Sequence, residues 1–172
     1  IQKRWSTDQL ITGIEIGEGS HRPRPPELVL ETRFGDCKDK TLLMVTMLRA
    51  LGIEAVPVLV HSDQGAALDE RLPTPYAFNH VIARARLAGR DYWLDGTNSN
   101  QKGALGALAQ PSFGWGLPLQ QGAQALVAMP RQANNASGWS VATTLDLRGG
   151  ADAPARLSIA SSYRGDSADA MR

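Results

Sequence analysis

The stretch Arg33-Phe34-Gly35-Asp36-Cys37-Lys38-Asp39-Lys40 places the only cysteine of this 172-residue chain at the first turn of a predicted helix. Asp36 is a typical N-cap residue, and Asp39 lies three positions later, where a capping box has its acidic partner. The positive end of a helix dipole stabilises a thiolate, which is the reactive form of cysteine. The position of Cys37 therefore makes it a candidate nucleophile.

The residues after Cys37 predict a helix to about Leu51 and then a strand. Apolar residues at helical spacing predict the buried face of this helix: Leu43, Met47, Leu48 and Leu51. Gly52 is a typical helix stop. Residues 53–60 then predict a strand, in which Pro57 indicates either an edge position or a ladder site that needs no N–H group.

The segments before the cysteine-bearing helix are predicted to be short. Residues 1–10 are compatible with the tail of a helix anchored by Trp5, and residues 11–20 with at most a short strand. The prolines of residues 21–26 exclude a helix there, since each biases its predecessor away from that conformation. A short helix is predicted over residues 27–31.

Two strands are predicted downstream, at residues 79–87 and 90–95, followed by a glycine- and alanine-rich loop at 96–124 and a brief apolar strand at 125–129. Beyond these, two runs of alternating apolar residues predict a hairpin with a turn at Gly149-Gly150. We expect this hairpin to begin a second β domain rather than to join the main sheet, because a lone hairpin is marginal in water.

The turn between the two strands sets a testable register. If Ala88-Gly89 forms a two-residue loop, Leu87 faces Arg90 and Ile82 faces Asp95. Side chains alternate between the faces of a strand, so His80 and Asp95 then share one face as diagonal neighbours. A change of one residue in the loop would put them on opposite faces.

Together, these residues have the chemistry of a thiol nucleophile with its base. A carboxylate at Asp95 orients the imidazole of His80 and stabilises its protonated form, and His80 takes the proton of Cys37. The backbone N–H of Cys37 at the helix start can stabilise an oxyanion. A second oxyanion donor is required, for which Asn79 and Trp5 are weak candidates.

Composition excludes several other functions. With a net charge of +1 and scattered arginines, the chain lacks the basic stripe of a nucleic-acid-binding protein. A single cysteine excludes an internal disulfide and a multi-cysteine metal site, and the carboxylates of residues 91–95 do not follow a calcium-loop pattern. No apolar run approaches the ~20 residues of a membrane span. We expect neither a metal nor a cofactor.

Three blocks of this sequence resemble the signature of the bacterial transglutaminase-like domain, a member of the papain-like cysteine hydrolase and acyltransferase superfamily. They are the stretch around Cys37, then Phe78-Asn79-His80-Val81, then Tyr92-Trp93-Leu94-Asp95-Gly96-Thr97. The resemblance runs from about Leu10 to Met129. It implies an α+β fold in which the cysteine-bearing helix packs on an antiparallel sheet, with Cys37 as nucleophile, His80 as base and Asp95 as third member.

The resemblance also implies thioester acyl chemistry on a protein or peptide substrate, and we favour a cysteine protease or amidase over a crosslinking transglutaminase. Two alternatives stay open, a catalytically silent module for protein or cell-envelope binding and, more weakly, a redox-sensing thiol. Many large bacterial members are exported, which implies a periplasmic or exported location. The sequence leaves the oligomeric state open.

The expected domain organisation is a catalytic domain at residues 1–131, a linker at 132–138 and a hairpin extension at 139–172. Residues 165–172 resemble the capped first turn of a longer helix, so we expect the chain to be part of a longer protein.

Three further side chains near the motifs have simple interpretations. Lys38 and Lys40 are interpreted as solvated flanking charges, with help to a thiolate as the alternative. Trp93 lies on the predicted face of Asp95 and either shields the site or packs in the core.

Overall fold

The structure, a computed structural model, describes residues 22–122, 125–129, 138–150 and 153–172. The predicted helix at 1–10 with Trp5, the predicted strand at 11–20 and nearly all of the predicted linker lie outside the described residues. Contacts divide the chain into one unit of Ile1–Ser99 and Gln110–Gln132 and a second of Asn100–Ala109 and Ala133–Arg172. The boundaries predicted for the domains stay a prediction.

Within the described residues, the first unit combines two helices with a five-stranded sheet, which confirms the α+β class. Its regular elements in chain order are helix α1 (Pro26–Thr32), helix α2 (Cys37–Ala50) and strands β1 (Glu54–Val60), β2 (His80–Leu87), β3 (Arg90–Leu94), β4 (Trp115–Pro118) and β5 (Val127–Ala128). Short 3-10 helices at Gly65–Glu70 and Pro75–Ala77 lie between β1 and β2. The strands are antiparallel in the order β3-β2-β1-β4-β5.

The core of this unit lies on both faces of the sheet, because successive side chains of a strand alternate between faces. One face packs against α2 with the buried residues Met44, Val45, Ala55, Ala83 and Ala85. The opposite face holds the buried residues Val56, Val58, Val60, Ile82, Trp93 and Met129. Because the sheet is covered on both faces, the residues at the ends of its strands are held in fixed positions.

The helix predicted after Asp36 is confirmed, but part of its predicted buried face is wrong. Leu43 is buried, whereas Leu51 is 72% exposed. Leu51 is the C-cap residue, so the helical path that would have turned it toward the sheet has already ended. Met44 and Val45 are buried against the sheet in its place.

Pro57 lies in the central strand, so the edge alternative is wrong. β1 pairs with β2 on one side and β4 on the other. The carbonyl of Pro57 accepts the N–H of Leu119 at 2.8 Å, just after the end of β4. In an antiparallel ladder the N and O of one residue point to the same side, so the missing N–H of Pro57 faces this strand end. The ladder-site alternative is the one that holds.

The loop predicted at 96–124 contains a strand, β4, and the prediction is wrong there. Gly116 of β4 lies so close to β1 that an added Cβ would be 2.6 Å from the Cγ1 of Val58. Only a glycine fits this approach, and a strand with Gly116 and Pro118 in its four residues shows no alternating pattern.

The second unit contains the predicted hairpin, which is confirmed as a sheet of its own. β6 (Gly138–Asp146) pairs with β7 (Arg156–Arg164), and a short helix α3 (Asp166–Ala170) follows. Gly150 adopts a φ of 82°, as the predicted turn requires. The predicted linker extends to Gly138, but this residue already belongs to β6.

Candidate active site

The hairpin of β2 and β3 brings His80 and Asp95 together. Its two-residue turn, Ala88-Gly89, has positive φ angles of 51° and 76°, the geometry of a tight hairpin. Leu87 pairs with Arg90, as predicted, and the register continues to Ala83 opposite Leu94. Nε2 of His80 lies 2.9 Å from Oδ2 of Asp95. The predicted register is therefore confirmed.

Asp95 is fixed through both of its carboxylate oxygens. Oδ2 bonds the ring of His80, while Oδ1 accepts the backbone N–H of Thr97 at 2.8 Å and its hydroxyl at 2.6 Å. The side chains of His80 and Asp95 are 15% and 13% exposed, so water competes little with these bonds. This arrangement fixes the ring of His80 in one orientation.

The ionisation of the pair follows from these contacts. Burial by itself would lower the pKa of His80, but hydrogen bonds and charges at Asp95 and Cys37 outweigh it and raise the pKa of His80 to about 9. For Asp95 burial acts in the opposite sense and would raise its pKa. The bonds from His80 and Thr97 prevail and lower the pKa of Asp95. The geometry therefore favours an imidazolium beside a carboxylate.

Cys37 is the first residue of α2, half-buried and with a free thiol. The predicted capping box is confirmed: Oδ1 of Asp36 accepts the backbone N–H groups of Lys38 and Asp39 at 3.1 and 3.2 Å. The carboxylate of Asp39 in turn accepts the N–H of Asp36. The N–H of Cys37 lies at the first helical position, where no intrahelical acceptor exists.

A buried hydrogen bond joins the first turns of α2 to the start of β2. The hydroxyl of Thr41 donates to the carbonyl of Val81 at 3.0 Å. Thr41 lies one helical turn after Cys37, and Val81 follows His80 directly. This bond holds the start of α2 against the start of β2. Cys37 lies there close enough to His80 to raise the pKa of the ring.

Arg24 anchors the same helix start from the other side. Its backbone N–H, Nε and Nη2 donate to the two oxygens of Asp39 at 2.8, 2.9 and 2.8 Å. Burial of Asp39 would raise its pKa, but the bonds and charge of Arg24 outweigh burial and lower it. The carboxylate of Asp39 thus stays charged and holds the chain before α1 against α2.

Phe113 contacts the site, and the sequence analysis missed it. Its ring meets the ring of His80 edge-on, at 5.9 Å between centroids and 88° between planes. Two close backbone approaches place it there. A Cβ on Gly65 would be 1.8 Å from the carbonyl oxygen of Phe113, and one on Gly114 would be 2.5 Å from the Cα of Ala66. No local pattern in the sequence signals such an approach.

The interpretation of both lysines as solvated charges is wrong: the side chain of Lys38 is 16% exposed and pairs with the carboxylate of Asp36. Lys40 is only 4% exposed, because it faces the sheet from the first turn of α2. Burial lowers its pKa more than the nearby charges of Asp95 and Cys37 raise it. Its place three residues after Cys37, on the same side of the helix, is the sequence signal that could have found it.

The remaining candidates lie apart from the site or serve the core. Both ends of the Asn79 amide are engaged with Ser62, since Oδ1 accepts its N–H and Nδ2 donates to its hydroxyl. Trp5, the other oxyanion candidate, is outside the described residues. Trp93 is 3% exposed and packs in the core, so the core interpretation holds.

The described residues contain neither a metal-binding cluster nor a membrane-spanning helix. No group of three or more His, Cys, Asp or Glu side chains in that part of the chain is placed to hold a metal ion. None of the helices found within those ranges is long and apolar enough to cross a membrane.

The comparisons with known proteins identify the family. The model of the transglutaminase-like superfamily matches residues 6–94, more than half of the chain, so this chain belongs to that superfamily. The match contains Cys37 and His80 and ends one residue before Asp95. A search of curated proteins found no significant match.

One solved structure is similar to this chain. It is a crystal structure from Parabacteroides distasonis, at 2.00 Å resolution, of a protein described as a candidate protease. The two share 17% sequence identity with a TM-score of 0.46. The alignment covers 77% of this chain but only 26% of the other, so this chain spans about a quarter of that protein's length.

Proposed function

We propose that Cys37, His80 and Asp95 form a catalytic triad for acyl transfer from a peptide or carboxamide bond. The observation that carries this proposal is the arrangement at His80, whose ring bonds Asp95 at 2.9 Å and interacts with the sulfur of Cys37. Membership of the transglutaminase-like superfamily, a family of papain-like cysteine enzymes, supports it. Cys37 begins a helix, His80 begins β2 and Asp95 directly follows β3, the strand that pairs with β2.

The proposed reaction begins with attack of the Cys37 thiolate on the substrate carbonyl. A C–S bond forms, and the tetrahedral oxyanion receives a hydrogen bond from the N–H of Cys37. The imidazolium of His80 gives its proton to the leaving amine as the C–N bond breaks, which leaves a thioester on Cys37. His80, now neutral, takes a proton from the incoming acceptor as that acceptor bonds the acyl carbon. The C–S bond then breaks, which releases the acyl product and restores the Cys37 thiolate beside the imidazolium of His80.

We propose water as the usual acceptor, which makes the enzyme a cysteine protease or amidase. A crosslinking transglutaminase has to keep water from its thioester until an amine arrives. Cys37 is half-buried rather than fully buried, which favours water as the acceptor. Water is also far more concentrated than any amine and is the default acceptor at such a site. The substrate is proposed to be a protein or peptide.

One experiment tests the reaction and its acceptor together. The chain is incubated with casein and a fluorescent primary amine, and mass spectrometry scores new peptide ends against amine incorporation. We expect new ends with the wild type and none with Cys37→Ala or His80→Ala. His61→Asn is the matched control, since the ring of His61 accepts the backbone N–H groups of Asp63 and Gln64 in its own loop.

Each outcome of this experiment has a distinct meaning. Amine incorporation in excess of cleavage would reassign the enzyme as a crosslinking transglutaminase. Equal products from wild type and Cys37→Ala would show that another source produces them. No product on casein and on a peptide library, together with an inert thiol, would support the alternative of a catalytically silent binding module.

A further inference from the structure

Lys40 is a buried cation that the proposed mechanism does not use. Its side chain is 4% exposed, and its Nζ is buried with no hydrogen-bond partner among the described residues. Leaving an ammonium buried without a hydrogen bond costs folding free energy, and proteins rarely do so without a compensating charge. The surroundings of Lys40 should therefore contain that charge.

The position of Lys40 puts it between two elements of the site. It lies three residues after Cys37 and so on the same side of α2. On its other side it packs against Gly96, where an added Cβ would be 3.2 Å from the Cβ of Lys40. Gly96 follows Asp95 directly, so the lysine is packed between the helix that carries the thiol and the segment that carries the carboxylate.

Among the described residues, three ion pairs lie around the helix start: Lys38 with Asp36, Arg24 with Asp39, and His80 with Asp95. Cys37 is the remaining ionisable group of the site among the described residues. With a thiolate at Cys37, an imidazolium at His80 and a carboxylate at Asp95, these three groups carry one excess negative charge. A protonated Lys40 balances that charge, and Asp95 and Cys37 are the two groups whose charges act on it.

We propose that Lys40 is a positioning residue whose buried ammonium balances the negative charges of the Cys37 thiolate and the Asp95 carboxylate. The proposal rests on the proposed function, because it presupposes a thiolate at Cys37. Lys40 touches no substrate in this account, since its Nζ is shielded from solvent. Burial lowers the pKa of Lys40 and outweighs the effect of Asp95 and Cys37, which are the two negative groups that favour its protonated form.

The test is the rate at which iodoacetamide alkylates Cys37 at pH 6 and at pH 9. We expect Lys40→Met to lower the ratio of the rate at pH 6 to that at pH 9 by about tenfold, the usual effect of removing a neighbouring opposite charge. Lys102→Met is the matched control, because Lys102 is an exposed lysine outside the first unit. It should keep the wild-type ratio, and Lys40→Arg, which retains the charge, should keep most of it.

Thermal unfolding of the same variants separates charge balance from a structural role. Met fills the space of the lysine without a buried charge, so we expect Lys40→Met to melt at or above the wild-type temperature while its thiol loses reactivity at pH 6. If Lys40→Met does not fold, Lys40→Gln is measured in its place. A wild-type ratio in the folded variant would overturn the proposal for Lys40 and leave the triad intact. If His80→Ala also keeps the wild-type ratio of the two alkylation rates, the proposed function itself is overturned.

Discussion

Asp95 divides its two carboxylate oxygens between different tasks. One oxygen is saturated by the backbone and hydroxyl of Thr97, and the other faces Nε2 of His80. The carboxylate therefore cannot rotate away from the ring, and its negative charge favours the imidazolium. Burial opposes that ionisation, yet the pKa of His80 is still raised to about 9. The site thus keeps His80 protonated at neutral pH.

This ionisation predicts how stability depends on pH. The pKa of His80 rises from 6.5 in the unfolded chain to about 9 in the fold, so the protonated ring stabilises the fold fully below pH 6.5. That contribution is lost as the pH rises through 9. We expect the free energy of unfolding of the wild type to exceed that of His80→Gln most at pH 6, and the gap to narrow toward pH 10. Urea unfolding at several pH values measures it.

A gap that stays constant or widens between pH 6 and pH 10 would contradict this ionisation of His80. Measurements below pH 5 are left out of the comparison, because protonation of Asp95 then changes the free energy of unfolding as well. The stabilisation from Asp95 is present above pH 3.8 and is lost as the pH falls further.

At the scale of elements, close backbone packing positions the aromatic neighbour of His80. The 3-10 helix at Gly65–Glu70 touches the segment around Phe113 at Gly65 and Gly114, where neither position has room for a side chain. We expect Gly65→Ala to push Phe113 away from His80, because a Cβ there would lie 1.8 Å from a backbone carbonyl, which cannot rotate aside. The cost should be about 1–3 kcal/mol of unfolding free energy, as for other overpacked sites.

Urea unfolding and the alkylation rate of Cys37 measure the effect of Gly65→Ala. Gly106→Ala is the control, since an added Cβ at Gly106 meets nothing within 4 Å. Its unfolding free energy should stay within about 0.5 kcal/mol of wild type. Equal stability of the two variants would show that the close approach at Gly65 is not a constraint.

The elements that local chemistry dictates were the predictable ones. Asp36 and Asp39 form a capping box within four residues, and Ala88-Gly89 closes a two-residue hairpin loop, so the start of α2 and the register of β2 with β3 follow from neighbours in sequence. Burial does not follow in this way. Lys40 and Leu51 were placed wrongly because their exposure depends on the sheet that α2 packs against and on where the helix ends.

β4 and Phe113 mark the limit of prediction from one sequence. Gly116 lies in a strand because only a glycine leaves room for the side chain of Val58 in β1. Phe113 contacts His80 because two glycines allow segments far apart in the chain to approach closely. Each depends on contacts between residues far apart in the chain. The same holds for the neighbours of Lys40, which come from α2 and from the segment after β3.

At the scale of the whole molecule, the two units differ in how they cover apolar surface. The first encloses its sheet between α2 on one face and a second apolar cluster on the other. In the second, the hairpin aligns Trp139 with Tyr163, Thr143 with Ile159 and Leu145 with Leu157, and Trp139, Ile159 and Leu157 are more than half exposed. The alternation that predicted the strands therefore does not correspond to a buried face among the described residues.

The proposed triad exists only in the folded first unit, because its members lie at positions 37, 80 and 95 and meet through the packing of α2 on β2. The reactivity of the Cys37 thiol should therefore depend on the folded state and not on the cysteine alone. An ordinary thiol has a pKa of ~8.5 and reacts slowly at pH 6. A thiolate balanced by an imidazolium keeps reacting there.

The most direct test is therefore the rate of Cys37 alkylation by iodoacetamide as a function of pH, compared among the folded wild type, folded His80→Ala and the wild type in urea. We predict that the folded wild type stays reactive at pH 6. The other two samples should react at least about tenfold more slowly. One common pH profile for all three would contradict the triad and make Cys37 an ordinary cysteine at the start of a helix.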